Sequence, residues 1–123
     1  MIVFFIKKWY YKKMINEINI KSFNQTTSVA LSQFLVEIDR CKFNDVKLLK
    51  VITGYGSHGV GGEIKRELLY LCLDLKRKGI IKNYIPCEKL TKSSLHSLCV
   101  DYPDLILDTE ISSYNSGVVL VEI

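Results

Sequence analysis

Residues 51–68 read Val51-Ile52-Thr53-Gly54-Tyr55-Gly56-Ser57-His58-Gly59-Val60-Gly61-Gly62-Glu63-Ile64-Lys65-Arg66-Glu67-Leu68, with five glycines inside the nine positions 54–62. Before them, Val46, Leu48, Leu49, Val51 and Ile52 form a short, nearly continuous apolar run, as in a strand covered on both faces. After them, Ile64, Leu68, Leu71, Cys72 and Leu75 recur at helical spacing. Glycines between a buried strand and a helix let the backbone approach a ligand closely. The helix start beyond Gly62 offers unpaired N–H groups and the positive dipole end, a natural seat for a phosphate. Lys65 and Arg66 lie in its first turn and can add charge-assisted contacts. Tyr55 can stack on a base or stand as a solvent-facing spacer.

The pattern continues on both sides. Ile15, Glu17, Ile18, Asn19 and Ile20 alternate as a first strand. Asn24, Gln25, Thr26 and Thr27 supply a cap signal, and Leu31, Phe34, Leu35, Ile38 and Cys41 then predict a helix from about Thr27 to Lys42. Lys76, Arg77 and Lys78 complement the end of the second helix, and Gly79 allows a left-handed exit. A strand over Ile80–Ile85 is stopped by Pro86. A short helix follows over Leu90–Val100, with Leu95, Leu98 and Cys99 inward, and Tyr102-Pro103-Asp104 breaks it. Val118–Ile123 is strongly β-forming and belongs inside the sheet. The order β-α-β-α-β-(α)-β predicts an α/β two-layer sandwich, with a basic aromatic extension at 1–14 and the domain at 15–123.

Composition agrees with one soluble domain: 123 residues, 48% hydrophobic, 24% charged and a formal net charge of +4. That balance permits a polyanionic partner without demanding one. The four cysteines, Cys41, Cys72, Cys87 and Cys99, form no CxxC pair, which excludes a metal finger. Cys41 and Cys72 fall on apolar helical stripes as reduced thiols. No signal peptide or transmembrane segment is visible, so a cytoplasmic location is expected. Ile2–Ile6 is too short to span a bilayer. The stretch Lys7–Lys13 could lie on phosphates, bases or a membrane surface, but the reading adopted is a short element packed on the domain with its lysines in water. Asp101, Asp104, Asp108 and Glu110 do not fit a calcium loop and are read as surface.

The glycine-rich segment is not a P-loop, since it ends Gly61-Gly62-Glu63. Gly54, Gly56 and Gly59 match GxGxxG formally, without the follow-on strand and acidic end that would give the match weight. Ile52–Gly62 and Ile64–Leu68 instead resemble the Smr (small MutS-related) family: its TGxG or HGxG loop, the following xHSxGG and the Leu-Lys helix start. Asn115-Ser116-Gly117-Val118-Val119-Leu120 is similar to that family's Asn-x-Gly turn and last strand. The stretch from Tyr84 to Leu105 resembles an excursion seen in some stand-alone bacterial members.

The resemblance implies a fold similar to the C-terminal domain of translation initiation factor three, and DNA or RNA as partner. It implies that Thr53 and the amides of Gly54, Tyr55, Gly56, Ser57, Gly61 and Gly62 hold phosphate oxygens. His58 would donate to a phosphate or move a proton. Family members that cleave carry Leu-Asp-x-His-Gly at the end of the first strand, where this chain has Ile18-Asn19-Ile20-Lys21-Ser22. Asn19 cannot accept a proton or carry charge, and Lys21 is a poor base but a good phosphate contact. Binding without efficient cleavage is therefore expected, with no cofactor certain. The alternatives are an active endonuclease, which could use a divalent metal, and a protein-interaction domain without nucleic acid.

Overall fold

The computed structural model describes residues 14–21, 25–54 and 62–123. The elements run β1 (Ile15–Asn19), α1 (Thr27–Phe43), β2 (Leu48–Ile52), α2 (Gly62–Arg77), β3 (Asn83–Pro86), α3 (Lys92–Asp101), α4 (Thr109–Ser112) and β4 (Val118–Glu122). Short 3₁₀ turns at Cys87–Lys89 and Pro103–Leu107 flank α3. The sheet order is β1-β2-β4-β3, with β1 and β2 parallel and β4 antiparallel to both its neighbours.

β2 is buried along its whole length. Alternation sends Leu49 and Val51 toward α1 and α2, and Leu48 and Ile52 toward the segment between β3 and β4. That explains the nearly continuous apolar run. The two long helices form the second layer of the α/β sandwich, and the excursion from Cys87 to Tyr114 covers the opposite face of the sheet. The last strand, β4, is inserted between β2 and β3, as its composition predicts.

α1 starts where the cap signal places it: Thr26 Oγ1 accepts from the Val29 N–H at 3.2 Å. Its buried stripe is Ala30, Phe34, Glu37, Ile38 and Cys41. Leu35, expected inward, is exposed, because it lies one helical step, about 100°, from Phe34. α2 buries Ile64, Leu68, Cys72 and Leu75. At its end Gly79 takes φ +73. The Gly79 N–H donates to Lys76 O (3.0 Å) and the Ile80 N–H to Leu75 O (2.9 Å), closing two otherwise orphaned carbonyls.

That closure uses Ile80, so β3 begins three residues later than the apolar pattern suggests. Pro86 is its final residue and sits on an edge strand, where a missing N–H is tolerated. α3 carries a reciprocal cap, with Thr91 Oγ1 accepting from the Ser94 N–H and Ser94 Oγ from the Thr91 N–H. The short helix α4 has no counterpart in the sequence reading. Asp108 starts it by accepting from the N–H groups of Glu110 (3.0 Å) and Ile111 (3.1 Å).

Candidate functional site

Because β1 and β2 are parallel, both end on the same side of the sheet, and the glycine-rich segment leaves from there. β1 is prolonged by the Ile20 N–H donating to Ile52 O at 2.9 Å. Asn19 Oδ1 then accepts from the Lys21 N–H at 3.0 Å. The Lys21 stem crosses Gly54: a Cβ at position 54 would lie 3.2 Å from Lys21 Cγ. Gly54 also has φ +79, a conformation that L side chains avoid. Asn19 and Lys21 therefore both lie at the base of the glycine-rich segment, Asn19 turned back on the backbone and Lys21 reaching across it. Lys21 is exposed and has no ion pair with a described residue.

The turn before β4 closes the same end from the other side. Asn115 Oδ1 accepts from the Gly117 N–H at 2.7 Å. Gly117 O accepts from the Thr53 N–H (2.8 Å), the Gly54 N–H (3.2 Å) and Thr53 Oγ1 (3.2 Å). A Cβ on Gly117 would stand 3.0 Å from Gly54 C, so the two glycines allow the two backbones to touch.

These contacts change the roles of several expected residues. Thr53 is 3% exposed and its hydroxyl donates inward; it braces two turns rather than facing a ligand. The Gly54 amide is likewise spent on Gly117. Lys65 is paired with Glu88, so its charge is already compensated. Arg66 is exposed, its closest carboxylate being Glu67 at 3.9 Å. Gly62 opens α2 and is exposed. The remaining expected residues, Tyr55, Gly56, Ser57, His58 and Gly61, lie outside the described residues, as does the extension up to Lys13. Among the described residues of the expected set, Asn19, Lys21, Arg66 and the start of α2 are left facing solvent.

One cluster was missed. Lys50, in the middle of β2, is 4% exposed. Its Nζ reaches Glu17 Oε1 (3.0 Å), Asp108 Oδ2 (2.8 Å) and Glu110 Oε1 (2.8 Å). Burial works against its charge, but the hydrogen bonds it donates to Asp108, Glu110 and Glu17 outweigh it and raise the ammonium above its ordinary range. Asp108 and Glu110, read as plain surface, are thus anchors tying α4 to the sheet. A charged residue inside an apolar strand was the available signal. A lysine held protonated by three carboxylates has no free electron pair for nucleophilic chemistry.

The buried thiols Cys72 and Cys87 are equally unsuited to catalysis. All four cysteines are free. Burial pushes the Cys72 thiol up to about 12, and burial together with Glu88 and Asp108 does the same to Cys87. Among the described residues no group of three or more His, Cys, Asp or Glu could hold a metal ion. No described helix is long and apolar enough to cross a membrane.

The opposite end of the sheet gathers more cations. A cleft of about 590 Å³ is lined by Lys42, Lys47, Lys76 and Lys82, with Ile80 and Ile123. Here α1 and α2 end, so their negative dipole ends offset the lysines. Lys47 is further paired with Asp45 (2.9 Å), and Lys76 donates to Asn83 Oδ1 (3.1 Å).

In comparisons with protein-family models, curated proteins and solved structures, nothing matches this chain.

Proposed function

We propose that this chain binds nucleic acid without cleaving it, seating a backbone phosphate where β1 and β2 end and α2 begins. The observation that carries this reading is the placement of Lys21, whose stem lies across Gly54 with its ammonium in solvent. It stands at the foot of the glycine-rich segment, which leads into the N-terminus of α2. A lysine ammonium and a helix start each attract an anion, one by charge and one by dipole. The lysine-rich opposite end lacks that advantage, since helix C-termini face it. Asn19 supports binding over cleavage: it is a neutral carboxamide already engaged with the Lys21 N–H, and it can neither accept a proton nor hold a metal as a carboxylate does.

The test is fluorescence anisotropy of RNA and DNA duplexes, titrated between about 50 and 200 mM salt. Affinity should fall steeply as salt rises. Lys21→Ala should weaken binding to every sequence alike and reduce the logarithmic salt slope by about one. Unchanged affinity and slope in Lys21→Ala would overturn the assignment of the site. Absence of salt-dependent binding in the wild type would overturn the function.

A further inference from the structure

Among the described residues β1 has β2 on one side and no strand on the other. The Ile20 N–H points inward to Ile52 O, so strand alternation turns the N–H and C=O groups of Ile15, Glu17 and Asn19 outward. An open row of this kind is a template for pairing with another chain. Over it stands α1, which packs across both β1 and β2. Helix and strand enclose a groove of about 510 Å³ whose walls include Ile18, Val29, Ser32, Gln33 and Val36. Val29 and Val36 are 47% and 56% exposed. They lie about two turns apart on one helix flank, with Ser32 and Gln33 midway between them.

We infer that this edge receives a second copy of the chain, β1 pairing antiparallel with its counterpart about a two-fold axis at Ile18 and joining the two four-stranded sheets into one. Spacing favours this occupant. Neighbouring strands lie about 4.8 Å apart, so a helix seated over β1 and β2 stands about one strand spacing from an axis just outside β1. The two copies of α1 then run antiparallel at about 10 Å, a distance at which helices pack. Self-complementarity, which a two-fold interface requires, also favours it. Asn16 Nδ2 donates to Glu37 Oε1 at 3.1 Å, and this contact fixes the level of α1 against β1. Two residues of strand advance about 6.6 Å, as far as about four residues of helix running the other way. Ile18 is therefore level with Ser32 and Gln33, and the axis sets each Val29 against the partner's Val36. Ile18 meets its own counterpart in a non-hydrogen-bonded pair, where side chains approach most closely. Charge selects the register. With the axis at Ile18, the outward groups of Glu17 bond those of the partner's Asn19, whereas an axis at Glu17 would oppose two like charges. One short strand and one helix flank per copy make an interface below about 1,200 Å², so the dimer is weak and reversible.

Sedimentation velocity on the full chain between about 10 μM and about 1 mM, paired with amide hydrogen exchange, tests this inference. The wild type should pass from monomer to dimer across that range. The outward amides of Glu17 and Asn19 should exchange about fivefold more slowly at the top of it than at the bottom. Val36→Asp, at an exposed position outside the core, should hold the chain monomeric and leave both amides fast at every concentration. Ser32→Leu, which puts an apolar side chain beside the axis, should tighten the dimer about tenfold. The core amide of Val51 should stay slow in every variant, which separates loss of the dimer from loss of the fold. A wild type that stays monomeric overturns the inference, whether or not Glu17 and Asn19 are protected. So does a dimer that survives Val36→Asp, that ignores Ser32→Leu, or that leaves Glu17 and Asn19 exchange independent of concentration, because another surface then joins the copies.

Discussion

Replacing Lys50 with methionine keeps most of the stem volume in the sheet and removes the ammonium that three carboxylates share at 2.8–3.0 Å. Breaking a buried pair by deleting one partner costs about 3–5 kcal/mol when the orphaned charge stays dry. Here the side chains of Asp108, Glu110 and Glu17 are 22%, 41% and 55% exposed, so the released carboxylates partly regain water. The apolar methionine also avoids the desolvation that lysine suffers. These offsets bring the expected loss to about 2–3 kcal/mol, or a fall in Tm of about 10 °C. Urea unfolding at pH 7 measures it. Lys50→Met combined with Asp108→Asn and Glu110→Gln should recover much of the loss, because asparagine still caps α4 and the surplus negative charge is gone. If Lys50→Met alone matched the wild type, or the triple variant were no better than the single one, the cluster would not be what fastens α4 to the sheet.

Gly117→Ala should cost about 2 kcal/mol in urea unfolding, since its Cβ would meet the Gly54 backbone at 3.0 Å; an unchanged midpoint would contradict the close approach. Gly54→Ala should cost about 1–2 kcal/mol through its φ of +79, with the same readout. A thiol-reactive disulfide reagent should modify the half-buried Cys99 in the native protein, and Cys41, Cys72 and Cys87 only after denaturation. Stability should decline with alkalinity. The unfolded thiols ionise from about pH 8.5, while Cys72 and Cys87 stay neutral in the fold until about 12. Their contribution is thus complete below about pH 8.5 and is lost as pH rises above it. Lys50, also raised, acts in the same direction only above about pH 10.4. Replacing Cys72 and Cys87 with alanine should flatten the first part of that decline, as chemical denaturation at stepped pH would show.

Much of the fold was legible because it rests on local periodicity. The nearly continuous apolar run of β2 announced burial on both faces. Thr26 and Gly79 marked helix ends through local geometry that composition reveals. What stayed hidden depends on distant partners. The role of Lys50 is not readable from its strand, because Asp108 and Glu110 lie 58 and 60 residues away. Leu35 and Leu31 flank the Phe34 stripe in the sequence, and only packing decides which faces inward. The candidate site was legible as a place, with Asn19, Lys21, Gly54 and Gly117 brought to one end of the sheet. It was less legible as a division of labour. Thr53 and Lys65 are residue types that suit a phosphate, yet Gly117 O and Glu88 engage them first.

The most direct measurement is a backbone amide titration of the full chain with an RNA or DNA duplex. The shifts should concentrate at Lys21, Gly54, the first turn of α2 through Arg66, and Ser116-Gly117. Shifts confined to Lys42, Lys47, Lys76 and Lys82 would place the polyanion on the wrong end of the sheet and contradict the proposed seat.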